Sequence, residues 1–122
     1  MNKPKKINRS LAVRSKVWLE IKGKPVMGEG RMDMLEAIQR YGSILQASKA
    51  TGVSYRKIRG AIHDMEGALG IAMVRSYRGG GQGGGATLTT EALRLMRCYR
   101  QLAVGFQDAM DTRLKEITAS YF

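Results

Sequence analysis

The 122-residue sequence predicts an α+β fold from three observations. Between Gly42 and Ile62, GSILQASKATGVSYRKIRGAI places two short apolar-faced helical stretches around a Gly-Val turn. Downstream, an apolar and basic run from Ile71 to Tyr77, a tip GGGQGGG and a resumed extended run from Ala86 to Thr89 have the pattern of two strands and their loop. After Thr89, apolar residues recur at alternating spacings of four and three, the mark of a long helix with a seam. Together these describe a winged helix-turn-helix with an N-terminal β-hairpin before it and a long C-terminal dimerisation helix after it. The chain then divides into a basic arm (1–12), an N-terminal hairpin (13–30), the helix-turn-helix and wing (31–88) and the last helix (89–122). One small domain is expected, and 43% hydrophobic content can supply its modest core.

Met1 to Lys24 carries eight basic residues and one acid, a net +7 within a whole-chain formal charge of +11. Basic arms ahead of a DNA-binding fold track phosphates or enter a minor groove. An unstructured solubilising terminus has the same composition over Met1 to Ser10. Val13, Ser15, Val17, Leu19 and Ile21 then alternate with Arg14, Lys16, Trp18, Glu20 and Lys22, the period of two of a half-buried strand. Lys22-Gly23-Lys24 turns it, and Pro25 to Gly28 returns as an edge strand, where proline is tolerated. Trp18 falls on the polar face. It either covers a partner subunit or packs under the arm, and the subunit contact is the reading favoured here.

Arg31 to Tyr41 reads as helix one, with Met34, Leu35 and Ile38 inward, bracing the helices that follow. Ser43 caps helix two, whose small-sided set is Ile44, Leu45, Ala47, Ser48 and Ala50, and Gly52 ends it near Thr51 in the left-handed conformation. Ser54 caps helix three, in which Ile58, Ala61, Ile62, Met65 and Leu69 recur at three and four. At roughly 100° per residue, the opposite face carries Arg56, Gly60 and His63, with Tyr55 and Arg59 on one flank and Lys57 on the other. A helix buried behind and basic in front suits the major groove, where arginine bonds guanine edges bidentately while neighbours hold phosphates. A merely solvated face carries the same pattern, so the context decides. Gly60 costs about 1 kcal/mol of helix stability against alanine; it either admits a close ligand or is simply tolerated.

A hairpin set directly after such a helix pair is a wing. Arg75 and Arg78 lie along its shaft and Gln82 in its tip, where glycine lets backbone N–H groups approach an anion. A flexible linker has the same glycine content. A nucleotide-binding loop is disfavoured, because no G-x-x-x-x-G-K-[ST] string occurs. Thr89 or Thr90 caps the last helix, whose seam runs Ala92, Met96, Tyr99, Ala103, Phe106, Met110 and then shifts to Leu114 and Ile117. A helix this long cannot bury its whole stripe on one small domain. Pairing with a second copy is the economical solution, and a two-fold dimer spaces two reading helices on the order of 34 Å apart. The alternative packs the stripe on helix one and the hairpin.

The span GEGRMDMLEAIQRYGSILQASKATGVSYRKIRGAIHDMEGALGIAMVRSYRGGGQGGGATLTTEALRLM resembles the N-terminal winged-helix domain of the molybdate-responsive ModE regulators and, more distantly, the LysR-type DNA-binding domain. The marks are GEGR before helix one, GS before helix two, the GVSY turn, the glycine-rich wing and LTTEALRL opening the last helix. The resemblance covers somewhat more than half of the chain. It implies a dimeric transcription regulator whose GVSY helix enters the major groove, with Ser54, Tyr55, Arg56, Lys57 and Arg59 facing the groove and Arg75, Arg78 and the tip at the wing. ModE regulators continue into small β-barrel modules that hold molybdate. This sequence ends at Phe122, so the expectation carries no molybdate site.

His63 is the single histidine and Cys98 the single cysteine, so neither a zinc set nor a Cys-His nucleophile assembles easily. Cys98 reads as a small packing residue, and Asp64, Glu66, Asp108 and Asp111 as helix-surface acids. One cysteine excludes an intrachain disulfide and fits a reducing compartment. With no signal h-region and no run of eighteen apolar residues, neither export nor membrane spanning is expected. The expectation is therefore a cytoplasmic, non-enzymatic, sequence-specific regulator that binds double-stranded DNA as a homodimer through its last helix, without cofactor, metal or membrane. Its candidate DNA-binding residues are Ser43, Ser54, Tyr55, Arg56, Lys57, Arg59, Gly60, His63, Arg75, Arg78 and Gln82. Two other classes compete: a non-specific nucleic-acid or RNA-binding accessory protein, and a protein-interaction module on a winged-helix scaffold.

Overall fold

The computed structural model describes residues 6–78 and 84–122. Its elements in chain order are β1 (Leu19–Ile21), β2 (Lys24–Met27), α1 (Glu29–Tyr41), α2 (Ile44–Thr51), α3 (Tyr55–Leu69), β3 (Val74–Tyr77), β4 (Gly85–Leu88) and α4 (Thr90–Tyr121). This is an α+β chain: a hairpin, three helices, a second hairpin and a long C-terminal helix. Trp18–Tyr99 forms one compact unit, and the segment up to Val17 forms another with Arg100–Phe122.

In the Trp18–Tyr99 unit, Lys22 (φ 51) and Gly23 (φ 80) are both left-handed and join β1 to β2. That is the two-residue turn whose twist matches a hairpin. The register slips between Leu19, opposite Met27, and Glu20, opposite Pro25. In a ribbon of two strands each strand is an edge, which tolerates the proline.

The strand predicted from Val13 is shorter than its alternation suggests. β1 begins at Leu19, and residues 13–17 belong to the other unit. There Gln107 takes the place of a pairing strand. Its Oε1 accepts from the Ser15 N–H and hydroxyl, both at 2.8 Å, and its Nε2 donates to the Val13 carbonyl at 2.8 Å. Nε2 also donates to Asp111 Oδ1 at 2.8 Å, so Asp111 orients the glutamine and is more than a surface acid.

Helix one starts earlier than predicted, at Glu29, and buries Met32, Met34, Leu35, Ala37 and Ile38. Both predicted caps form: Ser43 Oγ accepts from Gln46 N–H at 2.9 Å, and Ser54 Oγ from Lys57 N–H at 3.1 Å. Gly52, at φ 74, closes α2 by donating its N–H to the Ser48 carbonyl at 3.0 Å. Of the small-sided set of α2, Ile44 and Ala47 are buried and Ser48 is half-buried, whereas Leu45 and Ala50 are exposed. Each stands about 100° from Ile44 or beyond around the helix, outside the arc that faces α1 and α3. α3 buries Ile58, Ala61, Ile62 and Met65, with Leu69 half-buried.

The core of this unit is rich in methionine: Met27, Met32, Met34, Met65, Met73 and Met96 are all buried beside Leu35, Ile38 and Ile58. Unbranched thioethers fill the irregular space left where short helices and a small hairpin meet. Three polar joints fix the elements. Glu66 Oε2 accepts from the N–H groups of Met73 (2.7 Å) and Val74 (3.3 Å), tying the end of α3 to the start of β3. Arg31 donates to the Val26 carbonyl at 2.7 Å and lies 3.8 Å from Asp64 Oδ2. Glu66 and Asp64, predicted as plain surface acids, are thus partnered. Thr89, 4% exposed, donates its hydroxyl to the Ala72 carbonyl at 2.6 Å and accepts from Ala92 N–H at 3.0 Å, which makes it the cap of α4. Farther along α4, Tyr99 is buried. Burial first, then the carboxylates of Glu29 and Asp33, raise its phenol above the ordinary 10.0.

β3 and β4 pair antiparallel, with Val74 opposite Leu88, Arg75 opposite Thr87, Ser76 opposite Ala86 and Tyr77 opposite Gly85. The hairpin is moored at its β4 side, where Ala86 N–H donates to the Gly42 carbonyl at 2.8 Å. A β-carbon on Gly85 would strike the Tyr77 phenol and stand 2.9 Å from the Gly42 oxygen. Gly85→Ala therefore costs about 1–3 kcal/mol of stability through overpacking, measured as a lower thermal midpoint. Removing the Tyr77 ring as well does not restore it, because the Gly42 carbonyl stays in place.

Candidate nucleic-acid interface

α3 separates two chemistries along its length. Ile58 and Met65 are 0% exposed, whereas Tyr55, Arg56, Lys57, Arg59, Gly60 and His63 are all exposed. The 3.6-residue period places each set on its own side. A β-carbon on Gly60 would meet nothing within 4 Å, so packing inside the chain does not require glycine there. The hydroxyls of Ser43 and Ser54 are both held as helix caps.

On one flank of α3, Tyr55 and Arg59 join Ser43, Ile44 and Leu45 of the α2 start and the Ser76–Tyr77 and Gly84–Ala86 ends of the second hairpin around a cleft of about 490 Å³. Three of the predicted residues, Ser43, Tyr55 and Arg59, meet there. Leu45 and Tyr77, 51% and 56% exposed, also line this cleft and were missed as site residues. The signal for Leu45 lay in its angle on the helical wheel.

His63 is placed elsewhere, in a groove with Lys22, Lys24, Arg31 and Asp64. Arg75 and Arg78 are exposed and line neither hollow. Gln82 lies outside the described residues, as does the arm up to Lys5. Lys6, Arg9, Arg14 and Lys16 of the arm region are exposed. Cys98, predicted as a packing residue, is also exposed, because it stands off the Ala92, Met96 and Tyr99 line of α4.

The arrangement offers cationic and hydrogen-bonding side chains on a convex helix face beside a hairpin, a form that fits a grooved polyanion. Among the described residues no group of three histidine, cysteine or acidic side chains could hold a metal ion. No helix among them is long and apolar enough to cross a membrane.

No family model matches the chain. Individual proteins do. It is 38% identical over 95 residues to the molybdenum transport protein ModE of Azotobacter vinelandii, which covers 75% of this chain and 35% of that protein. Over 82 residues it is 42% identical to the transcriptional regulator ModE of Yersinia pestis, covering 67% of this chain and 31% of the relative. The chain matches the N-terminal domain of the ModE-type family. The DNA-binding transcriptional dual regulator ModE of Escherichia coli is 36% identical over 93 residues, 76% of this chain and 36% of its own length. The chain thus spans about a third of the length of the curated ModE-type relatives it matches.

Proposed function

We propose that these residues form a winged helix-turn-helix that binds duplex DNA sequence-specifically and serves a transcription regulator in the cytoplasm. α2 and α3 are the helix pair, α3 enters the major groove, and the β3–β4 hairpin is the wing, with Arg75 and Arg78 along the sugar-phosphate backbone. The observation that carries this reading is the division of α3, with Ile58 and Met65 sealed behind and Arg56, Lys57 and Arg59 free in front. Ser43, Ser54, Tyr55, Gly60, His63 and the tip residue Gln82 complete the proposed contact set. Names given to the relatives, a transcriptional regulator and a DNA-binding dual regulator, support the same reading. The proposal assigns no catalytic step and no cofactor to this part of the chain.

The partner in assembly is a second copy. Past Tyr99, the predicted seam of α4 is only partly covered: Ala103 and Leu114 are half-buried, while Phe106 is 52% exposed, Met110 38% and Ile117 43%. Covering them against an identical helix removes apolar area from water at about 25 cal/mol per Å² and gives the two-fold symmetry that palindromic sites match. Selection of preferred duplexes from a random pool tests readout and symmetry together. It is expected to enrich a two-fold symmetric site with half-sites about one duplex turn, 10–10.5 base pairs, apart. A pool that stays random while the protein still retains DNA would replace the specific regulator by a non-specific nucleic-acid binder.

A further inference from the structure

Beyond the helix pair and the second hairpin, the groove on the opposite flank of α3 has a chemistry of its own. About 600 Å³ in volume, it is bounded by Lys22 and Lys24 of the first hairpin and by His63, Asp64 and Gly67 of α3, with Arg31 between them. Its charges are unequal. Asp64, the one acid in the lining, already faces Arg31 at 3.8 Å. Glu20, the acid closest to the turn in sequence, accepts from Trp18 Nε1 at 2.6 Å. Lys22 and Lys24 are exposed and have no carboxylate partner among the described residues. The turn that presents them is fixed by two consecutive left-handed residues, Lys22 and Gly23, so both ammonium groups hang from a defined backbone.

The two hollows lie on opposite flanks of α3. Arg59 and Tyr55 mark the flank toward the second hairpin, and Asp64 and Ala68 the flank toward the first. A helix lying in a major groove has a phosphate strand on each side. We propose that the Lys22–Gly23–Lys24 turn is a second backbone clamp: it holds the DNA phosphate strand across the groove from the one beside the second hairpin, with His63 and the side-chain-free Gly67 forming the floor. The inference rests on the reading of α3 as the groove helix and adds to it a contact from outside the helix pair and second hairpin.

The test uses the full chain with Lys22 and Lys24 both replaced by glutamine, written Lys22→Gln and Lys24→Gln. Glutamine keeps a β-carbon and a long stem, so the left-handed strain at position 22 is unchanged, and an unaltered thermal midpoint verifies the fold. With the duplex selected by the unmodified chain, affinity is expected to fall on the order of tenfold at low salt. The slope of log K against log salt should become shallower by about 1.8, since each lost phosphate contact carries about 0.9 on B-DNA. The ratio of specific to scrambled duplex stays the same, because phosphate contacts position without reading sequence. Charge reversal at both sites, Lys22→Glu and Lys24→Glu, deepens the loss without changing that ratio. If the glutamine variant binds with unchanged affinity and salt slope while the unmodified chain still prefers its duplex, the clamp is wrong and the groove helix stands. If the unmodified chain retains no duplex at all, the groove helix and the clamp fall together.

Discussion

Replacing Arg56 and Arg59 together by alanine is expected to erase the preference for one duplex over another while leaving the fold intact. Both side chains stand on the exposed side of α3 and neither makes an ion pair among the described residues, so their removal opens no cavity and orphans no buried group. Surface changes of this kind shift stability by about 0.5 kcal/mol or less. If each arginine bonds a base edge bidentately, its loss costs about 1–3 kcal/mol of discrimination, and at 1.4 kcal/mol per tenfold each change lowers the specific-to-scrambled ratio roughly 5- to 150-fold. Competition binding against a scrambled duplex measures that ratio. Arg59 also borders the cleft shared with Tyr77 and Gly85, so its single variant distinguishes a base contact from a phosphate contact on the side of the second hairpin. A loss shared equally by all duplexes assigns Arg59 to the backbone, and loss of preference assigns it to the bases.

The parts of this architecture that were legible in the sequence are those fixed by neighbours along the chain. Ser43 and Ser54 cap helices whose first N–H groups lie only three residues away, and Ile58, Ala61, Ile62 and Met65 mark the buried side of α3 by their spacing alone. The Lys22–Gly23 turn is equally local. What the sequence hid depends on residues far apart in it. The alternation from Val13 to Val17 has the side-chain period of a strand, yet the backbone there is partnered by the side chain of Gln107, more than ninety residues on. Glu66 has the spacing of a solvated helix acid, and only the return of the chain at Met73 and Val74 gives its carboxylate two N–H donors. Gly85 sits among other glycines of the loop, and the need for it comes from Gly42 and Tyr77 together.

Ile58→Ala is the complement of the arginine change, and its effect is expected in stability. Ile58 sits between Lys57 and Arg59 in sequence, but its side chain is 0% exposed, at the centre of the stripe that α3 turns inward. Truncating a buried isoleucine to alanine costs about 2–5 kcal/mol through lost transfer energy and the cavity left behind. In a unit of this size each kcal/mol moves the thermal midpoint by about 4–8 °C, so the drop is about 8–40 °C. Ile58→Val removes one methylene and costs about 0.5–1.5 kcal/mol. Duplex preference separates the two faces of the helix. Where the Ile58→Ala chain remains folded, at low temperature, its specific-to-scrambled ratio should equal that of the unmodified chain, and binding to every duplex should vanish together as it melts. A small stability loss at Ile58 combined with a large one at Arg59 would mean that α3 is turned the other way, with its charged side inward, and the assignment of that helix to the major groove would fail with it.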